Sequence, residues 1–295
     1  MEAKKRINIL NIAAGQGEAA AKNPTEGENY YTTDVGDARR YTAERCASDP
    51  DVLWFCVYGG DGTVNEVVSG ILDADAGDRT YVSVVPVGTG NDFVRSLTAA
   101  EDEAVSVDVI TCNGHYAVNM INIGFDCNVV ASTAKKKKLP LVKGTAAYIL
   151  GVVDVLSHKM GQTMKITMTD EHDTEHVIER EVLLCAVANA SFCGGGFCAA
   201  PSAKYDDGIV DLLIIRKVSR MKFVSLVGGY RAGTHILEDG SVSAKYRDII
   251  DYYRCRKITI EGLERVCVDG EIEDCCEAEI GVLPRAVRFL QSPEN

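Results

Sequence analysis

The most informative stretch of this chain is VLWFCVYGGDGTVNEVVSGIL, residues 52–72. Apolar residues lead directly into a glycine-rich string, and apolar side chains then recur at helical spacing from Val64 to Leu72. The pattern predicts a buried strand that passes through a glycine turn, residues 59–63, into a helix. Glycines let backbone N–H groups approach phosphate oxygens, and a helix start favours an anion, so this turn is predicted to bind phosphate.

One acidic residue, Asp61, stands among these glycines. Its carboxylate would repel a bare triphosphate, but it can bind Mg²⁺ or a Mg²⁺-bound water when the metal bridges the phosphates. The loop therefore predicts a magnesium nucleotide as ligand. In the alternative interpretation the string is only a turn, and Asp61 caps the helix at the N–H groups of Val64 or Asn65.

The periodicity of the apolar residues changes near residue 119. Before it, short apolar runs alternate with helical patterns, which predicts βαβ units around a parallel sheet. After it, runs of period two such as MKITMT, residues 164–169, predict antiparallel hairpins, with helices near 144–157 and 221–232. We therefore expect an α/β nucleotide-binding domain over residues 1–118 and a mainly antiparallel β-sandwich domain over residues 119–284.

The charge and composition exclude some functions. The chain of 295 residues carries 31 Lys and Arg against 43 Asp and Glu, a net charge of −12, which argues against nucleic acid as a partner and against broad electrostatic attraction to an anionic membrane, so that any contact with such a surface must be local. No run is apolar enough to span a membrane and the start is too polar for a signal peptide, so we expect a cytoplasmic protein. The run Lys135–Lys138 predicts local, peripheral contact with the inner face of the membrane, or else a solvated surface. The eleven cysteines are expected to be reduced.

The glycine loop closely resembles the GGDGTxNEV loop of the diacylglycerol kinase catalytic-domain family, which bacterial lipid kinases share with sphingosine and ceramide kinases. The resemblance continues at PVGTGNDFVRSL, residues 86–97, and, at weaker specificity, in NASFCGGGF, residues 189–197. Weaker matches are PSAKYDDGIVDLLII, residues 201–215, and VDGE, residues 268–271. In the family the C-terminal end returns to the first domain, which is expected here of residues 285–295.

The resemblance implies an ATP- and Mg²⁺-dependent kinase that phosphorylates the hydroxyl of diacylglycerol to give phosphatidic acid. By this resemblance Glu271 is the catalytic base, and Asp61 and Asp92 are active-site acids. The residues implied to line the ATP site lie in the first domain: Asn11, Gly15, Thr33, Gly59, Gly60, Asp61, Gly62, Thr63, Asn65, Glu66, Gly88 and Thr89. The first loop departs from the family because Ile12 replaces its proline.

A structural Mg²⁺ site is implied at the Asp207 carboxylate and the backbone carbonyls of Lys204 and Ile209, with a plain Asp-Asp-Gly turn as the alternative. For Glu271 the alternative is a residue that only flanks a hairpin turn. The acceptor also stays open: a sphingoid base, ceramide or phosphatidylglycerol is an alternative lipid, and NAD kinase and a non-catalytic lipid or nucleotide sensor are alternative functions. The sequence does not decide between a monomer and a homodimer.

Overall fold

The computed structural model describes residues 4–13, 26–88, 90–97, 103–137 and 145–291, without the side chains of 136–137 and 145–149. Two of the predicted ATP-site residues, Gly15 and Thr89, lie outside the described residues, as does Lys138 of the basic run.

The N-terminal part has the predicted parallel sheet. Its strands are β1 (Lys5–Leu10), β2 (Glu28–Tyr31), β3 (Leu53–Gly59) and β4 (Thr80–Pro86), in the spatial order β4-β3-β1-β2. Its helices are α1 (Asp37–Ser48), α2 (Asp61–Asp73) and the short α3 (Asp92–Ser96), with a 3₁₀ turn at Gly77–Arg79. The strands β3 and β4 end side by side, since Gly59 pairs with Pro86, so the two glycine-rich loops leave the same edge of the sheet.

The rest of the chain is mostly antiparallel strand, as expected. Its first strands are β5 (Val105–Cys112), β6 (His115–Ala117), β7 (Met120–Gly124), β8 (Gln162–Asp170), β9 (Glu175–Ala188), β10 (Phe192–Cys193) and β11 (Phe197–Cys198). The last strands are β12 (Val210–Arg216), β13 (Ile250–Glu261), β14 (Arg265–Val268), β15 (Glu271–Asp274) and β16 (Glu277–Phe289). Apart from the β10–β11 pair, all described strands belong to one hydrogen-bonded network.

Strand β16 connects the two halves of that network. Its first part pairs with β13, and its last residues pair in parallel with β4, where Arg288 lies opposite Tyr81. It also pairs with β5 on both sides of an irregularity between Leu283 and Val287. The end of the chain therefore lies beside the N-terminal sheet, and one strand contributes to both hydrophobic cores.

Three helices pack on the antiparallel part: α4 (Phe125–Lys137), α5 (Thr145–Ser157) and α6 (Arg220–Arg231). The sequence predicts α5 and α6 but not α4, whose β-branched residues, among them Val129 and Val130, are weak helix formers. Tertiary packing stabilises it instead, since Gly151 of α5 lies so close to α4 that a Cβ there would collide with the Thr133 hydroxyl. Among the described residues, no helix has both the length and the apolar character that crossing a bilayer requires.

Candidate active site

The glycine loop begins helix α2. Gly60 precedes its first turn in an extended conformation, and no side chain caps the N–H groups of that turn. A Cβ built on Gly62 meets no heavy atom within 4 Å, so open space lies in front of the helix start. Uncapped N–H groups and the helix dipole together favour an anion in this space.

The two glycine-rich loops touch each other. A Cβ on Gly88 would lie 2.6 Å from the Gly60 Cα and 2.9 Å from the Asn91 Oδ1. Such distances leave no room for a side chain, so glycine at both positions lets the loops after β3 and β4 approach closely. The loops therefore form one continuous rim at the edge of the parallel sheet.

The Asp61 carboxylate joins these loops. It accepts hydrogen bonds from the backbone N–H of Asp92 at 3.0 Å and of Phe93 at 3.2 Å. Asp61 thus caps the start of α3, a helix of the neighbouring loop, whereas the capping alternative predicted contacts with Val64 or Asn65 in its own helix. Because a carboxylate has about four acceptor positions, capacity for a further ligand remains on Asp61.

Asp92 connects the second loop to the antiparallel part of the chain. Its carboxylate accepts the Gly195 N–H at 2.7 Å and pairs with the Arg95 guanidinium at 3.2 Å. Burial raises the pKa of the Asp92 carboxyl above its ordinary value, and the charge of Asp61 raises it as well. The two acids are therefore close enough to repel each other when both are ionised, which a cation between them would relieve.

Several predicted nucleotide residues hold the loops in place. Asn11 donates from Nδ2 to the Thr63 hydroxyl at 2.9 Å, which ties the end of β1 to α2. A Cβ on Gly59 would lie 2.6 Å from the same hydroxyl, so Gly59 allows this packing. Thr33 donates its N–H to Asp37 at 2.9 Å.

The Glu66 side chain points away from the helix start and caps α1. It accepts the N–H groups of Gly36 at 2.9 Å and Ala38 at 3.0 Å. Asn65, one residue earlier, donates to the Tyr116 carbonyl at 2.7 Å and to Asp269 at 2.9 Å. Both side chains therefore already have protein partners, and their contact with the nucleotide stays a prediction.

The hairpin β14–β15 turns at Asp269 and Gly270, which both have positive φ, 46° and 97°. Asp269 faces inward and accepts the backbone N–H groups of Val118 at 2.7 Å and Met120 at 2.8 Å, besides the Asn65 amide. Burial raises the pKa of Asp269 to about 6, and these hydrogen bonds oppose that rise. Asp269 therefore holds the β14–β15 turn against α2 through its hydrogen bond with Asn65.

Glu271 is the first residue of β15 and is exposed. Partial burial raises the pKa of its carboxyl above the ordinary 4.5, and the negative charges of Glu66 and Glu273 raise it further. Arg39 and His115 act in the opposite direction. The carboxylates of Glu271 and Glu66 are near enough for their charges to repel each other, and a carboxyl with a raised pKa suits a general base.

An apolar cavity of about 470 Å³ opens beside the loops. Asp61, Asp92 and Asp269 lie at its polar end. Its apolar wall consists of side chains from α4, α5 and α6 together with Leu184 of β9: examples are Val129, Val152, Phe223 and Val227. The acids of both halves of the chain thus meet at one end of a space that otherwise suits a hydrocarbon chain.

Comparison with known proteins assigns both halves of the chain. Residues 9–123 match the pattern described as the diacylglycerol kinase catalytic domain, and residues 119–291 match the YegS C-terminal NAD kinase beta sandwich-like domain. The chain belongs to the diacylglycerol kinase catalytic-domain family. It is therefore a phosphotransferase with an alcohol acceptor, a lipid kinase of that family that takes ATP as its phosphoryl donor.

Individual relatives agree with the family. The diacylglycerol kinase of Bacillus subtilis strain 168 is 27% identical over 92% of this chain and 87% of its own length. A protein of Pectobacterium atrosepticum named "Probable lipid kinase YegS-like" is 32% identical over 62% of each chain, less than two thirds of its length. A crystal structure of a candidate diacylglycerol kinase from Bacillus anthracis strain Sterne has a TM-score of 0.72 and 24% identity, over 99% of this chain and 98% of that one, and so shares the fold.

The sequence does not single out Asp126, which also lines the cavity of this family member. Among the described residues its side chain has no hydrogen-bond or ion-pair partner, and burial raises the pKa of its carboxyl to about 6. The charges of Asp126 and Asp92 both act on the Cys193 thiol, whose pKa is raised mainly by burial, so Cys193 lies near both acids. An acidic residue inside the apolar run INIGFDCNVV is the one signal that could have identified it.

Asp61 and Asp92 at the polar end of the cavity suit the nucleotide metal that the family resemblance implies. No cluster of three His, Cys, Asp or Glu side chains suited to a metal occurs in the part of the chain that the structure describes. However, Mg²⁺ is commonly held by one or two carboxylates together with substrate phosphates. Asp61, which repels Asp92 and adjoins the predicted phosphate space, supplies such a donor.

At the second predicted metal site, the Asp207 carboxylate has two protein partners. The Asp207 carboxylate pairs with the Arg254 guanidinium and accepts the Ile209 N–H at 3.2 Å. Asp108 accepts the N–H of Gly208 at 2.6 Å and so anchors the Asp-Asp-Gly turn. These contacts match the plain-turn alternative, and a metal bound through Asp207, Lys204 and Ile209 stays a prediction.

Proposed function

We propose that this kinase transfers the γ-phosphoryl group of ATP to the free hydroxyl of diacylglycerol, with Mg²⁺, giving phosphatidic acid and ADP. The observation that carries the proposal is the apolar cavity, because its polar end contains Asp61 and Asp92 of the loops and Asp269 of the hairpin. A long-chain alcohol bound there would have its hydrocarbon in the cavity and its hydroxyl beside the nucleotide loop. A water-soluble acceptor would leave the apolar wall without a role.

The two parts of the chain would bind the two substrates. Residues 1–118, with the C-terminal segment 285–295, would bind ATP, and residues 119–284 would bind the lipid. The phosphates would contact the α2 start through Gly60, Gly62 and Thr63, with Gly59 and Gly88 allowing close approach. Around them Asn11, Thr33, Asn65 and Glu66 would position the loops, and Gly15 and Thr89 stay predictions from the resemblance.

Glu271 would act as the general base. Its carboxylate would take the proton of the lipid hydroxyl while that oxygen bonds to the γ-phosphorus, and the bond from phosphorus to the β–γ bridging oxygen would break to release ADP. Asp61, with Asp92 beside it, would hold Mg²⁺, which when bound neutralises phosphate charge. The hydrogen bonds of Asp269 to Val118 and Met120 would fix the turn that presents Glu271.

The site would work at the membrane's cytoplasmic face, as a monomer or a homodimer. Lys135, the first residue of the basic run, is exposed at the end of α4. Each Lys near an anionic surface contributes about 1 kcal/mol of binding free energy. Peripheral attachment of this kind would give the enzyme access to lipids that do not leave the bilayer.

A second acceptor class is favoured by one observation, the unpartnered carboxyl of Asp126 in the cavity. An ionised carboxyl there would pair with the ammonium of a sphingoid base, which diacylglycerol lacks. Under that alternative Asp126→Asn would weaken binding of a sphingoid base and leave binding of diacylglycerol little changed.

The experiment is a product analysis with γ-labelled ATP and Mg²⁺. Mixed micelles would contain diacylglycerol, ceramide, a sphingoid base or phosphatidylglycerol in parallel, and a further reaction would contain NAD. Label in phosphatidic acid supports the proposal, whereas label only in another lipid reassigns the acceptor. Label in the NAD reaction alone, or in no product, contradicts a lipid kinase that acts on diacylglycerol.

A further inference from the structure

The outer faces of α5 and α6 expose an unusual amount of apolar surface. Leu150 and Val153 of α5 are 42% and 57% exposed, and Met221 and Val224 of α6 are 86% and 63% exposed. These four residues, named here the α5–α6 face, are a large share of the big exposed apolar side chains among the described residues. Exposed apolar residues concentrated on two neighbouring helices indicate an interaction surface.

This face is continuous with the lipid cavity. Val153 and Val224 are exposed to solvent and at the same time line the cavity. The two helices are held together at one end, where the Arg220 guanidinium donates to the carbonyls of Leu156 at 2.5 Å and His158 at 2.9 Å. The seam between α5 and α6 is therefore a place where the apolar interior reaches the outer surface.

The charges around the face favour an anionic partner. Arg220, Lys222 and Arg231 of α6 are all exposed, and so is Lys159 just after α5, whereas α6 has no acidic residue. The acidic residue of α5, Asp154, accepts a hydrogen bond from Ser132 of α4 at 2.6 Å. A local cationic rim on a chain of net charge −12 complements anionic lipid headgroups.

We infer that the α5–α6 face inserts into the boundary between headgroups and acyl chains of an anionic bilayer, and that the acceptor lipid enters the cavity through the seam between the two helices. Apolar side chains flanked by basic ones are the pattern of a helix that lies in a membrane surface. The inference rests on the proposed function, since it supplies that site with a substrate that stays in the bilayer. It adds the surface that docks and the direction from which the lipid arrives.

The test uses two residues of the face that do not line the cavity. The double variant Leu150→Gln/Met221→Gln is compared with Val177→Gln/Leu237→Gln, which changes exposed apolar residues elsewhere. Sedimentation with vesicles of phosphatidylcholine and phosphatidylglycerol measures binding, and turnover of dispersed dioctanoylglycerol measures the active site. We expect about tenfold weaker vesicle binding for the face variant, unchanged binding for the control, and unchanged short-chain turnover for both.

Several outcomes would overturn the inference. Vesicle binding that survives the face variant, or that falls equally in the control, would contradict docking by this face. A change in self-association with unaltered vesicle binding, measured by sedimentation velocity, would assign the face to a second copy of the chain. In a second measurement, Met221→Trp should give a blue shift of tryptophan emission on adding vesicles, and no shift would count against insertion. If the unchanged protein binds vesicles through this face but phosphorylates no lipid, the proposed function fails while the docking surface stands.

Discussion

At the scale of single residues, the turn between β14 and β15 places two acids, Asp269 and Glu271, in different environments. Asp269 is enclosed by backbone N–H groups and the Asn65 amide, whereas Glu271 has only long-range electrostatic neighbours among the charged groups that face it. The DGE string shows that both are acidic but not which one is free to take a proton. That difference depends on Val118 and Met120, which lie about 150 residues earlier in the chain.

We expect Glu271→Gln to lower kcat by about 10² to 10⁴ and to change the KM for ATP little, because the base acts on the acceptor. In the unchanged enzyme kcat should fall as pH decreases through the Glu271 pKa, and burial and negative neighbours place that fall above the ordinary 4.5. The variant should lack this dependence. Glu264→Gln, at an exposed position before β14, is the control. A kcat within a few-fold of the original, or a defect only in ATP affinity, would remove the base role from Glu271.

Asp61→Asn should abolish turnover while the protein stays folded. An asparagine can still accept one of the two N–H bonds from Asp92 and Phe93, so the loss in unfolding free energy should be about 1 kcal/mol. The charge that would hold Mg²⁺ is lost entirely. Thermal unfolding and turnover are measured on the same preparation. Near-normal activity would reduce Asp61 to a cap of α3.

Asp126→Asn should stabilise the protein at neutral pH. Since burial raises the folded-state pKa of Asp126 from 3.8 to about 6, the folded state binds this proton more tightly, and stability falls as pH rises between those values. The neutral amide avoids that loss, so the variant should gain about 1–3 kcal/mol at pH 7.5 and much less near pH 4. Thermal midpoints at both pH values, with the exposed Asp206→Asn as control, measure it. A lower midpoint at both would show that the carboxyl has an unrecognised stabilising partner.

At the scale of elements, strong periodicity made the strand–loop–helix unit of residues 52–72 and helices α5 and α6 predictable. Helix α4 was not, because its residues have low intrinsic helix propensity and it is stabilised by contacts with α5, such as the close approach at Gly151. The side chains of Asn65 and Glu66 were expected at the nucleotide. Their partners, Asp269 and the start of α1, are distant in sequence, and no local pattern reveals such a contact.

Substitutions at two glycines can distinguish a glycine that the packing of the loops requires from a glycine that leaves room for the ligand. Gly88→Ala would bring a Cβ within 2.6 Å of the Gly60 Cα, so we expect it to lower unfolding free energy by about 1–3 kcal/mol. Gly62→Ala meets no protein atom and should barely change the thermal midpoint, but its methyl group would occupy the space predicted for phosphate and raise the KM for ATP. Calorimetry and ATP titration of both variants test this pair. An unchanged KM in Gly62→Ala would move the phosphates away from the start of α2.

At the scale of the whole molecule, the sequence indicated an α/β part and an antiparallel part, and the family resemblance implied that residues 285–295 return to the first part, but neither gave the strand pairing that joins them. Strand β16 pairs with β13 at one end and with β4 at the other, and Asp92 accepts the Gly195 N–H across the same junction. Such long-range pairing is set by tertiary contacts and leaves no periodic signal. The cavity arises for the same reason, since α4 and α5 follow each other in the chain whereas α6 comes after the strands β8 to β12.

The dependence of turnover on acyl chain length in mixed micelles shows whether the cavity holds the acyl chain of the acceptor. Val227 lines the cavity, so Val227→Trp should fill part of it, and Val177→Trp places the same side chain at an exposed position near the start of β9 that does not line the cavity. We expect Val227→Trp to lower kcat/KM for dioleoylglycerol by about tenfold relative to dioctanoylglycerol, and Val177→Trp to leave that ratio unchanged. A folded Val227→Trp protein with an unaltered ratio would contradict the claim that the cavity holds the acyl chain of the acceptor.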